Sequence, residues 1–129
     1  MKTSENLLNA AIGVLQLRGR CRENFELADG SVDPLGALAV AAGLEPDTWM
    51  GLREIPESQI KGIDRVLVDA AWVLASAAVP ELGTEHMPVH DLVGVLGDWS
   101  DRSSDAEVFD ALTKAAHAVG RVCEAVTHG

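Results

Sequence analysis

Between Ser58 and Val79 the apolar residues Ile60, Ile63, Leu67, Ala70, Leu74 and Ala77 follow one another in steps of three and four. Kept up for about five turns, that spacing gathers side chains onto one stripe only in an α-helix, because a strand sends alternate residues to opposite faces. Val66, Ala71, Val73 and Ala78 widen the stripe, as expected of a helix covered from several sides. The rhythm returns in Val108, Phe109, Leu112, Ala115, Ala116, Val119, Val122 and Val126. Two long stripes of this kind must be buried against other helices, so the expected fold class is all-α.

Local signals divide the remainder. A first helix begins after Ser4, carries Leu7, Leu8, Ala11, Ile12 and Leu15, and stops at Gly19. Asp33-Pro34 starts a short second helix closed by Gly43. Pro46, Gly51 and Pro56 make residues 44–57 a connector with a brief helical turn near Asp47 to Leu52. Pro80 stops the central helix. Pro88 fits the first turn of another, which Gly97 ends. Ser104 and Glu107 form a capping box ahead of the last helix. Alternating Phe25 and Leu27 before Asp29-Gly30 leave room for one short β-hairpin within residues 21–32. The expected architecture is one compact bundle of about five helices spanning residues 1–129.

The chain has 20 Asp and Glu against 10 Lys and Arg, a formal charge of -10. A nucleic-acid backbone would be repelled, so no nucleic-acid partner is expected. The longest apolar stretch, Val66 to Val79, contains Asp69 and falls short of the roughly 18 to 20 residues of a membrane span, so no membrane association is expected. Leu7 to Leu17 is diluted by Asn9 and Gln16 and followed at once by arginines, which reads as a mature helix and not a secretory signal. Cys21 and Cys123 make neither a disulfide framework nor a zinc motif, and a cytoplasmic location follows.

Several residue groups carry potential chemistry, each beside a plainer reading. His86 and His90 stand at i and i+4, a metal-ligand spacing on an unbroken helix, but Pro88 between them removes the shared face. No metal site and no cofactor is therefore expected. Trp72, Trp99 and Trp49 could wall a ligand pocket, although five aromatics in the whole chain are needed to fill the core. Arg18, Arg20 and Arg22 could grip an anion. Residues 81–110 hold eight carboxylates and one Arg, so the simpler expectation is that the arginines meet acidic surface of this chain or of a partner. Asp98, Asp101 and Asp105 flank a helix start, where acids are stabilised anyway. His117 and Cys123, six positions apart on one helix, point about 120° away from each other. No catalytic set emerges. The residues expected to touch a ligand or partner are Arg18, Arg20, Arg22, Trp72, Trp99 and Asp101.

Three segments, Arg18-Gly19 ahead of Cys21, then DPLGALAVAAG, then WSD followed by SDAEVFDALTKAA, resemble a small uncharacterised family of actinobacterial and actinophage proteins. They cover about a third of the chain, and residues 44–98 have no counterpart. In that pattern an aromatic follows Arg-Gly and an Asn follows Trp, where this chain has Arg20 and Ser100. The resemblance implies a small helical fold and carries no activity.

The leading expectation is an acidic, cytoplasmic interaction or regulatory module without catalytic activity. Its partner would be another protein or a second copy, since Ala70, Ala71, Ala75, Ala77 and Ala78 form a small-residue face suited to a homodimer. The alternative is a small-molecule binding protein or enzyme of a specialised biosynthetic pathway, with Trp72, Trp99, His86 and His90 around a pocket.

Overall fold

A computed structural model describes residues 3–82 and 87–128, and the side chains of 3–81 and 87–119. Among the described residues six α-helices follow in order: α1 (Ser4–Arg18), α2 (Pro34–Ala41), α3 (Thr48–Leu52), α4 (Ile63–Ala78), α5 (Val89–Arg102) and α6 (Asp105–His128). The fold is all-α, and the sixth element relative to expectation is α3, the brief turn of the connector. Short 3-10 turns occupy Glu57–Gln59 and Pro80–Leu82.

Each helix end has a local cause. Thr3, one residue ahead of the expected cap, accepts the Asn6 N–H at its Oγ1 over 3.2 Å. Gly19, at φ 83°, closes α1, and its N–H reaches the Leu15 carbonyl. Asp33 caps α2 by accepting the Gly36 N–H over 2.6 Å, with Pro34 in the first turn. The α2 C-terminus is a Schellman closure in which Gly43 and Leu44 donate to the Val40 and Ala39 carbonyls. At α6 the capping box is reciprocal: the Glu107 N–H donates to Ser104 Oγ and the Ser104 N–H to Glu107 Oε1. α4 begins at Ile63, after the 3-10 turn that takes up the first residues of its expected span.

Two expectations need correction. Gly97 does not end α5, which continues to Arg102 and places Trp99, Ser100 and Asp101 on its last turn. Glycine inside a helix is tolerated at about 1 kcal/mol relative to Ala, and the carbonyls freed at a helix end find side-chain partners here at Trp99 to Ser103, beyond Gly97. The hairpin is also reduced. Among the described residues 21–32 contain no strand, only isolated bridges that join Val32 to Glu26 (antiparallel) and to Arg20 (parallel). Asp29 closes the tip, its Oδ1 accepting from the Ser31 N–H and Oγ. The segment cannot lengthen into a ladder because Val32 is already shared between two backbone partners and Pro34 starts a helix two residues later.

The buried side chains form one cluster. α1 packs on α6 and α2, while α4 lies against α6, α1, α5 and α2. α2 has buried residues on all sides, from Pro34 to Ala39, because it carries no polar side chain at all. Trp49 is fully buried and its Nε1 donates to the Leu35 carbonyl over 2.7 Å, fixing α3 against the start of α2. Of the small-residue face, Ala70, Ala71 and Ala75 are buried within the protomer, while Ala77 and Ala78 are partly buried against the same core.

Gly36 and Gly97 should respond in opposite directions to the same methyl group. A Cβ on Gly36 would lie 2.2 Å from the Phe25 carbonyl oxygen, so Gly36→Ala is expected to destabilise by about 2 to 3 kcal/mol. A Cβ on Gly97 meets nothing within 4 Å, so Gly97→Ala is expected to stabilise by about 1 kcal/mol. Urea unfolding of the two variants measures both.

Candidate functional site

The arginine triplet works inside the molecule. The Arg20 side chain is 3% exposed. Its Nη1 donates to the Ser100 carbonyl (2.7 Å), its Nη2 to the Ser103 carbonyl (2.7 Å) and its Nε to Asp105 Oδ1 (2.6 Å). Arg22 adds bonds to the Asp101 and Ser103 carbonyls, and Ser103 Oγ donates to the Trp99 carbonyl. The last carbonyls of α5, which have no partner within the helix, are thus taken by positive groups where the helix dipole is negative. Arg20 also reaches the acidic first turn of α6, complementing both dipoles at once. Arg18 pairs with Glu26 and donates from Nε to the Gly30 carbonyl over 2.7 Å.

This clamp draws residues 20–33 over α5 and leaves an open cleft of about 330 Å³ between that loop, α3 and α5. Its polar lining is Glu23, Asn24, Asp33, Arg53 and Asp101, and its apolar lining includes Phe25, Met50 and Val93. Gly94 and Gly97, one turn apart, form the α5 wall, and neither would bring a Cβ within 4 Å of other atoms. Glu23 sits at φ 70°, a left-handed conformation that costs a non-glycine residue about 1 to 2 kcal/mol. It is held there by its N–H, which donates to Asp101 Oδ1 over 2.9 Å. Strain of this kind gathers where a structure must present a group in one position.

Asp33 lies at the back of the cleft, 5% exposed. Burial pushes its carboxyl up to about 7; the Gly36 N–H pulls it down, and the Asp101 charge pushes it further up. Arg53 Nε is buried with no hydrogen-bond partner among the described residues. Such an orphaned donor is uncommon and costs about 1 to 3 kcal/mol. Met50, 54% exposed, stands on the rim. Cys21 lies below the loop, buried, with Sγ 3.2 Å from the Asn24 carbonyl, and burial followed by the Asp33 charge raises its thiol.

The residues singled out from the sequence therefore go to different places. Asp101 lines the cleft, while Arg20 and Arg22 hold the α5 wall from behind. Trp99 is buried, Trp72 is half-buried against the core, and neither lines the cleft. His90 is exposed on the first turn of α5; His86 and the Cys123 side chain lie outside the described residues. Among the described residues no group of three or more His, Cys, Asp or Glu is placed to hold a metal, and no helix is long and apolar enough to cross a membrane. Sequence reasoning missed Asp33, Arg53, Gly94 and Gly97. A usable signal was present in the two glycines one turn apart within an apolar helical stripe.

The three segments that carry the sequence resemblance converge here: Gly19 to Cys21 and Ser100 to Asp105 through the clamp, and Asp33 across the cleft from Asp101. Arg20 and Ser100, the two positions where this chain departs from that pattern, touch each other, Nη1 lying 3.3 Å from Ser100 Oγ. The molecule is a small all-α protein with an acidic cleft walled by one loop. Residues 1–118 match the model of the family of unknown function DUF6197, and the chain belongs to that family. No curated protein and no solved structure matches it.

Two measurements test this construction. Arg20→Met should cost about 3 kcal/mol in urea unfolding, because buried carbonyls lose charge-assisted partners. Asp33 is protonated in the folded chain up to about 7 and ionises near 3.8 when unfolded. The folded state therefore binds the extra proton between those values, and this group's contribution to stability falls as pH rises through the window. Asp33→Asn keeps an acceptor for the Gly36 N–H and removes the ionisation, so its stability relative to the parent should climb from pH 4 to pH 7.5.

Proposed function

We propose that this protein is a non-catalytic recognition module that holds a protein partner in the cleft between residues 23–25, α3 and α5. The observation that carries this reading is the glycine wall. Gly94 and Gly97 sit inside α5, where each costs about 1 kcal/mol relative to Ala, and no neighbouring group of this chain needs the space they leave. An occupant from outside explains why the wall is bare. Glu23, with its strained backbone, and Arg53 line the same volume and offer that occupant an acidic side chain and a guanidinium.

A partner other than a second copy is favoured, because Ala70, Ala71 and Ala75 of the alanine face suited to self-association are buried in the chain's own core. A cytoplasmic setting belongs to the proposal, supported by the buried Cys21 thiol, which is free among the described residues. So does a source among actinobacteria or their phages, on the sequence resemblance. Trp72 and Trp99 pack in the core and lend no support to a tryptophan- and histidine-lined substrate pocket.

A photo-crosslinking residue in place of Met50, expressed in the native host, should yield a discrete protein adduct. Gly97→Leu, which fills the cleft while keeping a good helix former, should remove that adduct without lowering the melting temperature. Adducts unchanged by Gly97→Leu, or no adduct at all, would defeat the reading.

A further inference from the structure

Resting on the cleft as a recognition site, we infer that it is one half of a continuous groove that takes an extended basic peptide segment, with a lysine or arginine side chain entering beside Gly94 and Gly97. A second cleft, about 320 Å³, adjoins the first and shares Asn24, Phe25 and Met50 with it. An extended chain places successive side chains on opposite faces about 3.3 Å apart along its axis, so it can span two adjoining depressions.

The charge around the groove selects the occupant. Glu23 and Asp101 line the first half and Glu45 and Asp47 the second, while Glu26, also in the second, is already paired with Arg18. Arg53 is the one basic residue in either lining. An excess of carboxylates beside half-buried Phe25 and exposed Met50 suits a side chain that has an aliphatic stem and a cationic head, since the stem covers apolar surface while the head stays among carboxylates. Phe25 adds a ring face for a guanidinium.

Arg53 separates a peptide from a simple cation. Its guanidinium belongs to the lining of the first cleft and carries donors only. A polyamine has only donors and would be repelled by the guanidinium. A peptide brings a main-chain carbonyl with every residue. The groove therefore offers carboxylates to the side chains and one donor to the backbone, which is the pairing an extended basic segment can satisfy.

Fluorescence polarisation on the full chain, with a labelled nine-residue peptide alternating arginine and alanine, tests the inference. Saturable binding that weakens with salt is expected, reduced about tenfold by Gly97→Leu and about fivefold by Asp101→Asn. Asp110→Asn, outside both clefts, should leave it unchanged. Arg53→Met decides between specific docking and general attraction to an acidic protein. Removing a positive charge would tighten non-specific binding, whereas losing the carbonyl donor should weaken it about fivefold, and Arg53→Lys should weaken it as well. Tighter binding by Arg53→Met, equal competition by spermine, or no peptide binding would overturn the inference. If the peptide fails while the Met50 adduct persists and remains sensitive to Gly97→Leu, only the basic character of the partner falls. Loss of both would end the recognition reading too.

Discussion

The buried guanidinium of Arg20 is the contact on which the loop-walled half of the molecule depends. A helix end inside a protein leaves carbonyls without partners, and a tight turn between two helices brings a negative dipole end against a positive one. Arg20 meets both needs, donating to the carbonyls of Ser100 and Ser103 and to the carboxylate of Asp105. Because it comes from the segment after α1, it also ties the loop to the α5–α6 junction. Lysine could not replace it, since three acceptors in different directions require a planar fork.

The cleft follows from that tie. Once Arg20 and Arg22 hold the loop against α5, Glu23 is turned onto Asp101 and Asn24 and Phe25 are laid along the opposite rim. Phe25 can then rest on α2 only because Gly36 has no side chain. Asp33 serves two structures at once, the first turn of α2 and the back of the cleft, so its carboxyl is both a cap and a buried acid. Local capping, long-range clamping and burial of one carboxyl are therefore parts of a single arrangement.

The helices were legible in the sequence because their stripes, caps and prolines all agree. The 3.6-residue rhythm of α4 and α6, the Asp33-Pro34 start and the Ser104–Glu107 box each rest on contacts within a few residues. Misreadings occurred where a residue's role is set by distant chain. Gly97 looks like a terminator when read locally, yet the end of α5 is decided by arginines about 80 positions away. The arginines themselves show as a charge cluster, with nothing in their spacing to name the carbonyls they serve. Arg53 and Asp33 were invisible as site residues for the same reason: burial, not identity, makes them unusual.

The Val32 N–H donates to the Gly19 carbonyl and its carbonyl accepts from the Cys21 N–H, both over 3.0 Å. The excursion between them leaves and rejoins the bundle at one point. Closing such an excursion costs only the logarithm of its length, so residues can be gained or lost at the Asp29-Gly30 tip with the helices undisturbed, provided Arg18 finds a new carbonyl there. Diversification of this scaffold is thereby channelled into the contour of one wall while the frame stays the same.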